Sequence, residues 1–225
     1  MIGRRRSTGQ HHGDLRKALE EAALALVAER GPHGFTLAEA CRRAGVSVAA
    51  PYKHFADRDA LLASLAVKGY REQDRRFKEA MSAIEDPTEQ LAALAAAYVR
   101  FAREEQALFD IMFNAGLDKT RHPELAEVVH ALFDTLLPIA RRVTITEAAA
   151  FDLLICMASA AHGLAFFLQE GVPGDELTPL AAAEARAART TRALVEQQLR
   201  EATAEGSKQD RESPHFPCGR THHDK

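Results

Sequence analysis

The sequence predicts an all-α protein built as a small N-terminal helical domain followed by a larger helical one. Alanine and leucine dominate, no stretch alternates apolar and polar residues over a strand's length, and apolar positions recur at helical spacing along most of the chain. The 225 residues are 46% apolar and 27% charged, a balance that buries a sizeable core and argues against a disordered chain.

The first helix is expected from about Asp14, a candidate N-cap, with Leu15, Ala18, Leu19, Ala22, Leu26 and Val27 on one face and Gly31-Pro32 as its stop. Thr36-Leu37-Ala38-Glu39 has the form of a capping box, so a second helix starts there and ends at Gly45, which supplies a left-handed turn. Ser47 is the expected cap of a third short helix, Val48 to about Phe55. Leu19, Ala23, Leu37, Ala40, Val46, Phe55 and Leu62 are the expected support for these elements.

Asp57 caps a longer helix with Leu61, Leu62, Leu65, Ala66 and Tyr70 on its apolar face and a charged stretch at 71–79. Pro87 opens the next helix, and further helices are expected at about 106–115, 123–142, 146–169 and 177–204. The expected organisation is a flexible basic arm at 1–13, a helix-turn-helix domain at 14–56, a helical domain at 57–205 and a disordered tail at 206–225.

The formal net charge is −3, yet residues 1–58 carry ten Lys and Arg against six Asp and Glu, or +4. The excess places any anion-binding surface at the N-terminal end. Arg4, Arg5 and Arg6 are either a minor-groove arm or a solvated tail. They are followed by a polar stretch with no apolar secretory core, so a cytoplasmic protein is expected. Cys41, Cys156 and Cys218 are too far apart for a paired metal motif, and the first two are expected as buried thiols. His215, Cys218, His222 and His223 match no standard zinc spacing, and no metal or cofactor is expected. The segment Leu153 to Leu168 falls short of a membrane span and is expected as a buried helix.

Residues 34–65, GFTLAEACRRAGVSVAAPYKHFADRDALLASL, closely resemble the N-terminal domain of the TetR family of bacterial transcriptional regulators. Gly34-Phe35-Thr36, the Ala44-Gly45-Val46 turn, Ser47, Tyr52-Lys53-His54-Phe55, Arg58 and Leu61-Leu62 carry the resemblance. It implies that Val48, Ala49 and Ala50 face base edges, while Thr36, Ser47, Tyr52, Lys53, His54 and Arg58 lie near phosphates. Lys53 and Arg58 suit that role as cations, and Tyr52 and Ser47 as hydroxyl donors. Three small apolar residues offer little but contact with thymine methyl groups, so specificity is expected to lean on DNA shape or on Arg42 and Arg43. Pro51 departs from the aliphatic residue usual in the family; it removes an N–H and disfavours helical backbone at Ala50, so the third helix is expected to begin later or to bend there.

The resemblance further implies a homodimer on a near-palindromic duplex operator, repression, and release by a small apolar or amphipathic effector. Ala161-His162-Gly163-Leu164-Ala165 is similar to the WHG type of C-terminal domain in this family, although the chain contains no tryptophan. Eight of the eleven phenylalanines lie between Phe77 and Phe167. Phe109, Met112, Phe113, Phe133, His162 and Phe166 are candidates for a shared effector pocket, with ordinary core packing as the alternative. A dimer interface is expected from the helix at 146–169 and the Ala181, Ala185, Ala188, Val195 and Leu199 stripe of the last helix. Two other classes stay open: a helical protein-interaction module, which leaves the 52–58 cluster unexplained, and an enzyme, for which no phosphate loop, nucleophile elbow or metal motif is present.

Overall fold

The computed structural model describes the backbone of residues 8–171 and 179–212, with side chains described over 15–171 and 179–203. Among the described residues the regular structure is helical: α1 (Thr8–Arg30), α2 (Leu37–Arg43), a 3-10 turn (Pro51–Lys53), α3 (Arg58–Met81), α4 (Pro87–Glu104), α5 (Gln106–Asn114), α6 (Pro123–Ala140), α7 (Glu147–Glu170) and α8 (Leu180–Glu212).

Short polar side chains start several of these helices by accepting orphan N–H groups. The Asp57 carboxylate accepts from Ala60 N–H at 2.7 Å, Asp86 from Glu89 N–H at 2.9 Å with Pro87 at the first helical position, and Thr146 from Ala149 N–H at 3.1 Å. Gly31 and Gly45 follow the ends of α1 and α2 at φ 73° and 70°, backbone that a side chain would strain.

The N-terminal head packs Leu19, Ala23, Leu26 and Val27 of α1 against Phe35, Ala40, Cys41, Phe55 and the first turns of α3. Of the expected support, Leu37 and Val46 are only partly buried. In the body, α4 lies against α3, α7 and α8, and its Leu91, Ala95, Val99 and Phe101 are nearly inaccessible. Each such fully buried large side chain contributes about 1.5–3 kcal/mol of transfer free energy.

Four expectations are corrected. The first helix begins at Thr8, so Asp14 is inside it rather than its cap, and residues 8–13 of the expected arm are helical. The last helix continues to Glu212, because Gly206 alone costs only about 1 kcal/mol among good helix formers and does not stop it. Cys156 is exposed, while Cys41 is buried as expected. Helix α7, at 24 residues, is long and apolar enough by length and composition to cross a membrane, and it is not fully buried. Its Ala150, Leu153, Leu154, Met157, Ala161 and Ala165 face the core, but Phe151, Ile155, Phe166 and Phe167 stand in solvent on this single chain. The arm cations Arg4–Arg6 and the tail residues His215, Cys218, His222 and His223 lie outside the described residues.

Candidate nucleic-acid interface and interior cavity

Helix α2 is closed at both ends by its own sequence. The Thr36 hydroxyl accepts from Glu39 N–H at 3.3 Å, and the Glu39 carboxylate accepts from Thr36 N–H at 2.8 Å, completing the capping box. Arg30 donates to the same carboxylate at 3.1 Å, tying the end of α1 to the start of α2. At the other end Val46 N–H reaches the Cys41 carbonyl at 3.0 Å across the Gly45 turn, a Schellman-type closure.

The segment after that turn does not form the expected helix from Val48 to Phe55. Pro51 has no N–H to donate to Ser47, so the chain makes one turn, with Ala50 N–H donating to the Ser47 carbonyl at 3.0 Å, and then the 3-10 turn. His54 and Phe55 N–H both close onto the Pro51 carbonyl, at 2.7 and 2.8 Å. Ala50 keeps a right-handed conformation, φ −67° and ψ −39°, despite preceding a proline. No side chain caps the 3-10 turn, so Ser47 contributes its carbonyl and not its hydroxyl. Buried Pro51 and Phe55 anchor the segment, and Ser47, Val48, Ala49, Tyr52 and Lys53 are exposed, Tyr52 at 63%.

The cations around this surface fall into two groups. Arg42 and Lys53 are exposed. Arg43 is exposed too, but its guanidinium grips Glu29 through two hydrogen bonds at 2.7 and 2.5 Å. Arg58 is turned inward: it donates to the Pro32 carbonyl, pairs with Asp59 at 3.2 Å and lies 5.2 Å from the centre of the Phe35 ring. In the single chain Arg58 therefore braces the head instead of standing free beside Lys53. Half-buried His54 is also engaged within the fold.

Buried Glu20 of α1 joins the head to the body. It accepts from the Ser64 hydroxyl at 2.8 Å, from Arg16 at 3.2 Å and from Lys68. Burial pushes its carboxyl up, but the hydrogen bonds from Lys68, Ser64 and Arg16 outweigh this and hold it below the usual carboxylate range. A second tie is the 2.8 Å hydrogen bond between His33 Nε2 and the Asn114 carbonyl at the end of α5.

Inside the body, Phe77, Leu94, Ala95, Tyr98, Phe133, Leu136, Leu154, Met157, Ala158 and Ala161 surround a cavity of about 60 Å³. Among the described residues its one polar wall is Tyr98, whose hydroxyl shares a 2.9 Å hydrogen bond with His162 Nδ1. Phe109 and Phe113 pack against both rings, with Phe109 stacked on His162 at 5.2 Å. Burial lowers the His162 pKa below its ordinary value and raises that of Tyr98, so both are held neutral near pH 7.

A family model described as bacterial regulatory proteins of the tetR family matches residues 19–65, and one described as the tetracyclin repressor-like C-terminal domain matches residues 91–193. The chain belongs to the TetR family. Among solved structures it is similar to a protein of unknown function from Rhodococcus sp. RHA1, 30% identical, over 83% of this chain and 98% of that one with a TM-score of 0.63. A tetR-family regulatory protein from Rhodococcus RHA1 is 17% identical over 80% of this chain and 96% of its own, also at 0.63. The TetR-family transcriptional regulator PfmR from Thermus thermophilus is 20% identical over 80% of this chain and 94% of its own, at 0.57. No curated protein matches the chain.

As a TetR-family transcriptional regulator, the chain carries its DNA-binding domain in the head. Thr36, Arg42, Ser47, Val48, Ala49, Tyr52 and Lys53 share its exposed surface, whereas Ala50 is half-buried and Arg58 serves the interior. Of the six expected effector residues, Phe109, Phe113 and His162 meet around Tyr98, and Phe133 lines the cavity. Met112 instead packs over Gly69 of α3, where a Cβ would overlap its sulfur. Phe166 does not join the cluster; it is 53% exposed against Phe167, because it lies one residue past the buried Ala161–Ala165 edge of α7. Residue-by-residue reading missed Phe77, Tyr98, Leu154 and Met157 as lining. The Tyr70, Gln73, Phe77 spacing on one helical face was the available signal, hidden by the charges between them.

Proposed function

We propose that this TetR-family regulator is a repressor that binds a near-palindromic duplex operator as a homodimer and leaves it when a small apolar or amphipathic effector occupies the body. It acts in the cytoplasm on nucleoid DNA. The observation that carries the reading is the side-by-side exposure of Tyr52 and Lys53 beside exposed Val48 and Ala49, on a segment held out by buried Pro51 and Phe55. Tyr52 and Lys53 donate to phosphates, Val48 and Ala49 meet the groove floor, and Arg42 supplies a further cation. Since the segment is a pair of turns, few base edges are read by hydrogen bonds and much of the specificity comes from DNA shape.

Dimerisation through α7 and α8 is supported by the outward Phe151, Ile155, Phe166 and Phe167 of α7 and the exposed Ala181, Ala185 and Leu199 of α8. Val195 of the expected stripe is fully buried within the chain and takes no part. Two heads held about one DNA turn, about 34 Å, apart then meet successive major grooves. Ile155→Glu is expected to give monomers by sedimentation and to abolish operator binding.

The cavity is smaller than the about 150 Å³ that holds a benzene-sized guest, so an effector enters by displacing its lining. Phe77 belongs to that lining and to α3, whose Asp57 cap reaches the head, so displacement there moves the DNA-binding end. The ligand shifts the equilibrium only by as much as it prefers the displaced state. Selection of bound fragments from sheared genomic DNA, followed by footprinting with and without candidate compounds, tests the reading. Absence of a protected two-fold site, with the fold intact by circular dichroism, would instead favour a helical interaction module.

A further inference from the structure

Gln73 is 1% exposed and its side-chain Nε2 has no hydrogen-bond partner among the described residues. A buried amide donor left without an acceptor is both costly and uncommon, and it marks a place where something else supplies the acceptor. Gln73 follows Tyr70 by three residues and precedes Phe77 by four, so the three share one face of α3. Both neighbours lead to the same ring. Phe77 stacks on Tyr98 at 6.4 Å between centroids, and Tyr70 lies near enough to oppose ionisation of the Tyr98 hydroxyl. Phe77 and Tyr98 line the cavity, and the orphaned amide is buried one helical turn before Phe77 on the same face of α3, behind the lining that an entering effector displaces.

The surroundings exclude charge of either sign. Among the described residues, no Lys, Arg, Asp or Glu lines the cavity. Burial pushes the Tyr70 phenol up to about 12 and the His162 imidazole down, so the region resists a negative and a positive charge alike. We infer that the cavity takes a neutral, mostly apolar molecule bearing one hydrogen-bond acceptor, such as a ketone, ester or lactone carbonyl, and that Gln73 Nε2 donates to that oxygen. The inference rests on the reading of the cavity as the effector site, and it adds the chemical class of the effector and the residue that selects it. A site built to donate one hydrogen bond discriminates against a hydrocarbon of the same shape, which leaves the donor unpaired.

The test uses the full-length protein and pairs of probes matched in shape: 2-butanone with 2-methylbutane, cyclohexanone with methylcyclohexane, and acetophenone with isopropylbenzene, plus benzoate and benzylamine. Calorimetric titration is expected to show each bound ketone preferred to its hydrocarbon by about tenfold, with benzoate and benzylamine not bound. Gln73→Leu is expected to erase that preference while leaving hydrocarbon binding, DNA affinity without ligand and the melting temperature unchanged or higher; Gln73→Met serves if the leucine variant does not fold. Equal binding of ketone and hydrocarbon by the native protein, or an undiminished ketone preference in the variants, overturns the role of Gln73 and leaves the effector cavity standing. Failure of every neutral probe to bind overturns the cavity reading and this inference with it.

Discussion

In the head, the groups proposed to meet DNA stand outside a small apolar core: Tyr52, Lys53 and Arg42 are exposed, and the buried residues beneath them are Phe35, Ala40, Cys41, Phe55 and the α1 face. In the body the arrangement is inverted, with Tyr98 and Gln73 inside and a surface of paired charges such as Arg75 with Glu72 and Arg192 with Glu89. The difference teaches what a substitution in each region can reveal. Surface changes in the head should alter DNA binding at constant stability, because exposed side chains lose little on truncation. Truncations of the apolar lining inside the body move stability and ligand response together, whereas Gln73→Leu, which removes an unpaired buried donor, moves the ligand response alone. Helix α3 belongs to both regions, capped by Asp57 at the head and carrying Phe77 to the cavity.

The sharpest way to break this contrast is the double change Tyr52→Ala and Lys53→Ala. Two charge-assisted contacts of about 1.5 kcal/mol each make the expected loss of operator affinity on the order of a hundredfold. The salt dependence of binding should become shallower as well, since Lys53 no longer releases counterions. A fall in melting temperature of more than about 2 °C would mean that these side chains hold the head together, and the contrast would fail.

Gly34→Ala probes the opposite case, a head position where no functional group is touched. A Cβ there overlaps the Arg30 backbone carbonyl, which cannot swing aside as a side-chain tip would. Overpacking of this kind costs about 1–3 kcal/mol, so denaturant unfolding should show a clear loss with DNA affinity falling only as the folded fraction falls. Unchanged stability for Gly34→Ala would show that the α1–α2 connection is looser than described.

Glu20→Ala tests the joint between the two regions. It strips the buried Ser64 hydroxyl of its acceptor and Lys68 of its ion partner, at about 1–3 kcal/mol. Because α1 and α3 then lose their shared polar anchor, effector-induced release should weaken even where ligand affinity is unchanged. Release at full strength would show that coupling travels by the His33–Asn114 contact instead.

How far the residues alone foretold this molecule follows the same division. Local rules served wherever a helix is decided by its own ends: the Thr36–Glu39 box, the Asp57 cap and Pro87 all sit where expected, and α7 starts within a residue of the expected 146. They failed at residues 48–55, where one missing N–H at Pro51 outweighed an otherwise helical pattern. Arg58 illustrates a different limit, since no local pattern reports that the fold brings the Pro32 carbonyl and the Phe35 ring to this cation. The cavity was the least readable part. Its walls come from α3, α4, α6 and α7, and nothing in a single helix reports which aromatic face meets another.

Acid should separate the two regions by pH, with the smallest effect of the set. The folded His162 has its pKa depressed by burial, so below about pH 6.5 the unfolded chain takes up its proton first and the body loses stability as pH falls. Glu20 is held below its ordinary value of 4.5, so its contribution persists until the pH drops past that point and only then declines. Unfolding followed from pH 8 to pH 4 should therefore show a first, shallow loss that His162→Phe removes, and a second at lower pH that Glu20→Gln removes. Operator binding by the intact head should survive the first. If the His162→Phe variant keeps the same slope between pH 7 and pH 5.5, the imidazole is not desolvated, and the neutrality of the region around Tyr98 must come from the tyrosines alone.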